Sequence, residues 1–222
     1  MYTVHIMQLL ELLSLLFPEQ CVGCGKQGTA LCAICERTIT TKPTALSGTT
    51  AALYDYRHPL VKKAIWALKY HRRRSLARYF GTALYREFFK NLARNGKSLG
   101  EDIVLIPIPG NKKAITMRGY NHAGLIAKAI VECGKADGLR MIVENNVLYK
   151  KKEIEQQVRA RGREGRKENV DGIFAIRDAE KIHGKTIILI DDVITTGATV
   201  TDAKRAIKAC LPKRILALAV AH

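Results

Sequence analysis

The run from Ile187 to Thr199, IILIDDVITTGAT, constrains the fold of this chain more than any other stretch. Its four leading aliphatic residues form an unbroken apolar run, the pattern of a β-strand buried on both faces, as in a parallel sheet covered on both sides. Two adjacent carboxylates, Asp191 and Asp192, close the run. Thr195, Thr196, Gly197, Ala198 and Thr199 then combine hydroxyls, an unhindered backbone and a helix start, and apolar periodicity continues from Val200 to Cys210. A helix N-terminus presents unpaired N–H groups and the positive end of the helix dipole, so it favours a phosphate. Gly197 allows close backbone approach, and the threonine hydroxyls add donors. Two acids beside a phosphate would repel it unless they faced something else, and sugar hydroxyls or a hydrated Mg²⁺ are the natural partners. A ribose phosphate presents hydroxyls and phosphate together. The plainer alternative, a buried strand with a polar turn, accounts for IILI but not for the order of the residues after it.

A chain of 222 residues has room for one medium domain and a small appendage. Its 47% hydrophobic and 26% charged residues support a sizeable core and argue against general disorder. The formal net charge of +17 exceeds what solubility requires and implies a polyanionic partner: nucleic acid, phosphorylated metabolites or an anionic membrane surface. The apolar start, Met1 to Phe17, has no basic n-region, is interrupted by Glu11 and is short for a membrane span. Val4, Met7, Leu10, Leu13 and Phe17 share one helical face before Pro18, which predicts a packed amphipathic helix; a membrane-lying helix is disfavoured because its polar face has no Lys or Arg. The expectation is a cytoplasmic protein with no integral membrane segment.

Cys21, Cys24, Cys32 and Cys35 form two C-x2-C pairs separated by seven residues. In a reducing compartment such an array suits a closed, structural tetrahedral Zn²⁺ site better than two disulfides; a redox pair or four buried thiols are the alternatives. Gly23 and Gly25 fit tight knuckle turns. Cys133 and Cys210 lie in apolar helical stretches and read as core.

The acids and the threonine loop resemble the phosphoribosyl pyrophosphate (PRPP) motif of type I phosphoribosyltransferases. Together with Leu15-Leu16-Phe17-Pro18-x-x-Cys21-x-x-Cys24, Ala67-Leu68-Lys69-Tyr70, Ile106-Pro107-Ile108-Pro109 and Arg118-Gly119-Tyr120-Asn121, they make the chain similar, over nearly its whole length, to the ComF family of phosphoribosyltransferase-like competence proteins. The resemblance implies a type I phosphoribosyltransferase-like α/β fold, a mostly parallel sheet flanked by helices, with a zinc-binding unit over residues 1–50 and the main domain over 51–222. It implies that Asp191 and Asp192 hold the ribose hydroxyls, that Thr195 to Thr199 hold the 5′-phosphate, and that the loop from Pro109 to Asn121 holds pyrophosphate through Arg118. Mg²⁺ accompanies PRPP, and a second basic loop, Tyr149 to Asn169, would close over it with Arg166 as its contact. DNA-uptake partners, a helicase and other competence proteins, follow from the same likeness.

The residues themselves leave alternatives open. Asn121 is a plausible helix N-cap and Tyr120 a staple, so Arg118 to Asn121 reads equally as a cap. The second loop's charges read equally as a solvated face. The segment Arg37 to Thr50 reads as a linker, Leu60 to Tyr70 as a helix with Trp66 among its apolar positions, and Ile103 to Pro107, Met141 to Val143, Asn169 to Ile176, Lys185 to Ile190 and Arg214 to Val220 as strands.

Two functions compete. The first transfers phosphoribose to an acceptor with release of pyrophosphate, for which Asp191 and Asp192 are the central residues; no motif identifies the acceptor. The second is a non-catalytic single-stranded DNA-binding protein with a regulatory or vestigial PRPP pocket. Lys69, Arg72, Arg73 and Arg74, interleaved with Trp66, Tyr70, His71 and Tyr79, have the composition of a sequence-tolerant strand-binding surface. A glutamine-dependent amidophosphoribosyltransferase is disfavoured, because the first 50 residues hold a helix and a knuckle rather than a glutaminase.

Overall fold

In the computed structural model the described residues are 18–90, 102–151 and 172–222; the apolar start, Arg166 and most of the second basic loop lie outside them. The centre is a six-stranded sheet in the order β1-β2-β8-β7-β3-β4. Its strands are β1 (Thr44–Ser47), β2 (Thr50–Tyr54), β3 (Ile103–Pro107), β4 (Met141–Val143), β7 (Thr186–Val193) and β8 (Arg214–Ala221). Only the β1–β2 hairpin is antiparallel, so the mostly parallel sheet expected from the sequence is present. A separate antiparallel ribbon pairs β5 (Leu148–Lys150) with β6 (Phe174–Ile176).

Alternation along each strand sorts the core into two layers. Ile188 and Ile190 of β7, with Leu105 of β3 and Val220 of β8, face α2 (Pro59–Tyr70), α3 (Ser75–Phe88) and α5 (His122–Ala136). Ile187 and Leu189, with Val104, Ile106 and Ala219, face α6 (Ala198–Lys208) and the ribbon. A strand covered on both sides requires apolar residues at every position, which is why IILI does not alternate. The chain leaves β3 toward β4 and leaves β7 toward β8, so the strand order reverses between β7 and β3. Ligands of open α/β sheets bind outside the carboxyl ends of the strands at such a point.

The knuckle, with a short helix α1 (Ala33–Arg37), is not a loose appendage: Cys21, Val22, Leu31 and Ile39 join the same buried cluster as Leu53 and Val61. The stretch read as a linker contains β1, whose Thr44 and Ala45 pair with Ala52 and Ala51. The stretch read as the pyrophosphate loop contains a helix, α4 (Lys112–Arg118), capped at its start by the Asn111 side chain and at its end by Gly119 at φ 79°. None of its residues is buried, so it has no apolar stripe for periodicity to detect.

Candidate functional site

The site is built on the last turn of β7. Asp191 pairs with Ala219 of β8, and Pro107 of β3 lies opposite Ile190, so the acids emerge beside Pro109 at the sheet's carboxyl edge. Successive strand residues point to opposite faces, and Asp192 therefore turns toward α2 and α5. Its side chain is 5% exposed, with Oδ2 2.6 Å from Lys69 Nζ and 3.2 Å from His122 Nε2. Neither contact has hydrogen-bond geometry, so Oδ2 is a buried acceptor held by charge with its lone pairs undirected. Oδ1 accepts from the Val193 amide at 2.8 Å.

Asp191 is half-buried, and its Oδ1 accepts from the Asp192 amide at 2.8 Å. Burial, reinforced by the Asp192 charge, pushes its carboxyl up to about 8. Burial likewise lowers His122, against the opposing pull of Asp192, whose Oδ2 lies 3.2 Å from its Nε2. The His122 Nδ1 is buried without a hydrogen-bond partner. Donor atoms of His122, Asp191 and Asp192 all lie within 4.8 Å of one another.

Beyond Ile194 the chain turns outward. Thr195, Thr196, Ala198 and Thr199 are exposed, Gly197 takes φ 76° as the N-cap of α6, and the Ala198 amide reaches Thr196 Oγ1 at 3.4 Å. The first-turn amides of α6 have no intrahelical acceptors, as at any helix start. A cavity of about 640 Å³ lies beside this turn, lined by Thr195, Thr196, Gly197, Lys204, Leu46 and His222. Lys204 closes its far side: Nζ donates to Thr49 Oγ1 and Thr50 Oγ1, each at 2.7 Å, tying α6 to the hairpin turn. Asp202 of α6 accepts from the Ile173 and Phe174 amides at 2.6 and 3.1 Å, which anchors the ribbon from which segment 152–171 departs.

The Arg118–His122 segment forms a joint. Arg118 Nη1 donates to the Lys69 carbonyl at 2.9 Å and Tyr120 Oη to the Leu68 carbonyl at 2.7 Å, satisfying carbonyls that the end of α2 leaves open. Arg118 Nε is also bonded, to the Ala114 carbonyl at 2.9 Å. Asn121 caps α5 through the Ala123 amide at 3.1 Å and donates to the Ile108 carbonyl at 3.2 Å. The cap reading of this motif therefore holds for Asn121, and Arg118 is engaged with backbone carbonyls rather than turned freely to the crevice.

The expected basic surface divides. Lys69, expected among its phosphate-tracking residues, is turned inward onto Asp192. Arg72 Nη2 reaches the Met117 carbonyl at 3.4 Å, Arg73 Nη1 donates to the Gln20 carbonyl at 2.9 Å, and Arg74 stacks over the Tyr120 ring at 4.7 Å. Trp66, read as an apolar helix position, is 53% exposed on the face of α2 opposite Val61, Ala64, Ile65 and Leu68. It packs against Tyr70 and His71 at centroid distances of 5.2 and 5.0 Å. Sequence reasoning missed His122 and Lys69 as neighbours of the acids; their separation from Asp192 in the chain leaves no spacing signal.

The four knuckle sulfurs lie within 4.8 Å of one another, with Cys24 and Cys32 Sγ 3.6 Å apart. Zn–S bonds of about 2.3 Å in a tetrahedron separate sulfurs by about 3.8 Å, so the donor set fits that ion. A side chain at Gly23 would place its Cβ 2.5 Å from Cys35 Sγ, so only glycine fits the turn. Burial opposes ionisation of Cys21, but donors from the Cys24, Cys32 and Gly23 backbone outweigh it and bring its thiol down to about 6. Burial and the neighbouring thiols raise Cys35 to about 12. Cys133, on α5, and Cys210, in the turn after α6, are half-buried and outside the four-sulfur cluster.

A mostly parallel sheet with helices on both faces carries an acid pair at its strand-order reversal and an open threonine–glycine turn beside it, the α/β arrangement expected from the sequence. Residues 114–222, just under half of the chain, match the family described as phosphoribosyl transferase domain. Solved structures to which the chain shows similarity include an allosteric regulatory enzyme of purine biosynthesis (13% identity, TM-score 0.35, covering 66% of this chain and 26% of that one). They also include HGPRT-ase from Leishmania tarentolae in complex with GMP (10% identity, TM-score 0.36, covering 66% of each chain). A third is hypoxanthine phosphoribosyl transferase from Trypanosoma cruzi (9% identity, TM-score 0.36, covering 64% of this chain and 63% of that one). The chain spans less than two thirds of each, and likeness at this level says nothing of what it binds. No curated protein matches it. Among the described residues no helix is long and apolar enough to cross a membrane.

Proposed function

We propose that this protein binds PRPP at the carboxyl end of β7 and transfers its phosphoribosyl group to an acceptor, with release of pyrophosphate, in the service of DNA uptake as the ComF likeness suggests. The observation that carries the reading is the placement of Asp191 and Asp192 beside the open Thr195–Thr199 turn at the strand-order reversal. The carboxylates accept from the ribose hydroxyls, and the turn's amides and hydroxyls receive the 5′-phosphate. Pro109 borders the position of the leaving group. As C1 loses pyrophosphate, positive charge grows on the ribose ring; the work of the protein is to orient the sugar and shield it from water. The clustered oxygen donors of Asp191 and Asp192 are of the hard kind that would suit Mg²⁺, which would supply neutralisation of the developing negative charge. The knuckle holds a structural Zn²⁺ through Cys21, Cys24, Cys32 and Cys35. A cytoplasmic location and contacts with an uptake helicase and other competence proteins belong to this same reading.

Isothermal titration with PRPP and Mg²⁺ tests it. The parent binds, while Asp191→Ala with Asp192→Ala loses binding yet keeps its circular-dichroism spectrum and zinc. A double variant that bound like the parent would reduce the motif to a strand and turn.

One observation favours a second, compatible activity: Trp66, Tyr70 and His71 form an exposed aromatic cluster flanked on the same helix by Lys62 and Lys63. Exposed rings beside cations suit single-stranded DNA, whose bases stack while its phosphates pair.

A further inference from the structure

Asp192 Oδ2 poses a steric problem for a sugar hydroxyl. It is buried, and Lys69 Nζ, on a side chain that is still 23% exposed, lies against it at 2.6 Å. No hydroxyl reaches Oδ2 until that ammonium moves. The Lys69 backbone stays where it is, because Arg118 holds its carbonyl at 2.9 Å and Tyr120 holds the preceding one at 2.7 Å. Only the four-carbon stem is free to swing, and it pivots from a fixed point at the edge of the site. A displaced ammonium beside a bound sugar diphosphate finds the densest negative charge at the pyrophosphate. Arg118, the residue that the sequence puts forward for that charge, has its Nε and Nη1 engaged by the Ala114 and Lys69 carbonyls.

We propose that Lys69 is a pyrophosphate-binding residue: in the free protein it covers Asp192, and on PRPP binding it exchanges that carboxylate for the leaving group while a ribose hydroxyl takes its place on Oδ2. The assignment rests on the PRPP reading above and adds to it a residue of α2, outside the matched segment 114–222. Exchange serves two needs with one charge. The empty site does not leave Asp192 buried and unpaired, and the filled site gains a cation where pyrophosphate departs. His122, at the start of α5, stays beside the carboxylate with its Nε2 3.2 Å from Oδ2, and the Val193 amide keeps its bond to Oδ1.

The test titrates wild-type protein, Lys69→Met and Lys69→Arg with PRPP and, by displacement, with ribose 5-phosphate, both with Mg²⁺; thermal melts and zinc content establish that each variant is folded. Lys69→Met is expected to weaken PRPP at least tenfold and ribose 5-phosphate no more than threefold, since only the former carries pyrophosphate. Lys69→Arg keeps the charge and stays within about threefold of wild type for PRPP. An equal loss for both ligands in Lys69→Met, a loss of PRPP affinity below tenfold, or a Lys69→Arg variant as impaired as Lys69→Met would overturn the assignment while leaving the PRPP site standing. Wild-type protein that bound neither ligand would overturn the functional reading and this assignment with it.

Discussion

Replacing Asp191 by Asn should stabilise the protein while removing its ligand. The carboxyl titrates from an ordinary value of 3.8 up to about 8 in the folded state, because burial and the Asp192 charge disfavour its anion. A raised carboxyl value means that the folded state binds the proton more tightly, so stability is fully present below the unfolded value and is lost as pH rises toward 8. At pH 7 the linkage amounts to at most about 4 kcal/mol. Sharing of the shift with Asp192, and partial compensation by Lys69, bring the expected gain from Asn to about 1–2 kcal/mol. Asn keeps the acceptor for the Asp192 amide, so no buried donor is orphaned. For a chain of this size that is a rise in melting temperature of roughly 2–8 °C. Thermal melts from pH 4 to 9 should show the variant's advantage near zero at the acid end, growing to about pH 8 and level above it. PRPP binding should fall in the same variant, the opposite directions marking a site whose cost in stability serves a function. A variant no more stable than wild type at pH 7, or an advantage independent of pH, would refute the electrostatic account of the acid pair.

Freshly purified protein should carry about one zinc per chain, and Cys21→Ser or Cys35→Ser should lose it, as read by elemental analysis; full metal-free thiols would remove the knuckle reading. Gly81→Ala should destabilise by about 1–2 kcal/mol in urea titrations, since overpacking outweighs the helix-propensity gain. The added Cβ would lie 2.5 Å from Ala129 Cβ and 2.8 Å from the Ile126 carbonyl, where α3 crosses α5. If the α2 surface stacks bases, Trp66→Ala should weaken single-stranded DNA binding by about 1–3 kcal/mol with an unchanged salt slope, whereas Lys62→Ala with Lys63→Ala should flatten that slope by about 0.7 per lost contact. Binding untouched by either change would leave α2 as an ordinary solvated face.

What the sequence disclosed and what it hid divide along physical lines. The burial of β7 and β3 on both faces shows as unbroken aliphatic runs, and the cysteine pairs announce their cluster by spacing alone. The exposure of Trp66 was also legible: Val61, Ala64, Ile65 and Leu68 set the buried stripe of α2, and Trp66 lies opposite it. Counting tryptophan as an apolar position concealed this. Helix α4 carried both of its end signals, Asn111 and Gly119, but its basic, unburied face gave no periodicity between them. Strand β1 is a short edge strand with no buried residue, so it has little apolar pattern to reveal it. The inward turn of Lys69 had no local signal. It depends on an acid on a strand far along the chain, brought to α2 by the sheet, and only the assembled fold places the two side chains together.

The location of bound PRPP decides the central claim most directly. A crystal structure of the wild-type protein with PRPP and Mg²⁺ should show the 5′-phosphate on the Thr195–Thr199 turn, the ribose hydroxyls on Asp191 and Asp192, and the pyrophosphate toward Pro109 and Lys69. A ligand found instead on the basic face of α2 and α4, with the acid pair still closed by Lys69, would contradict it.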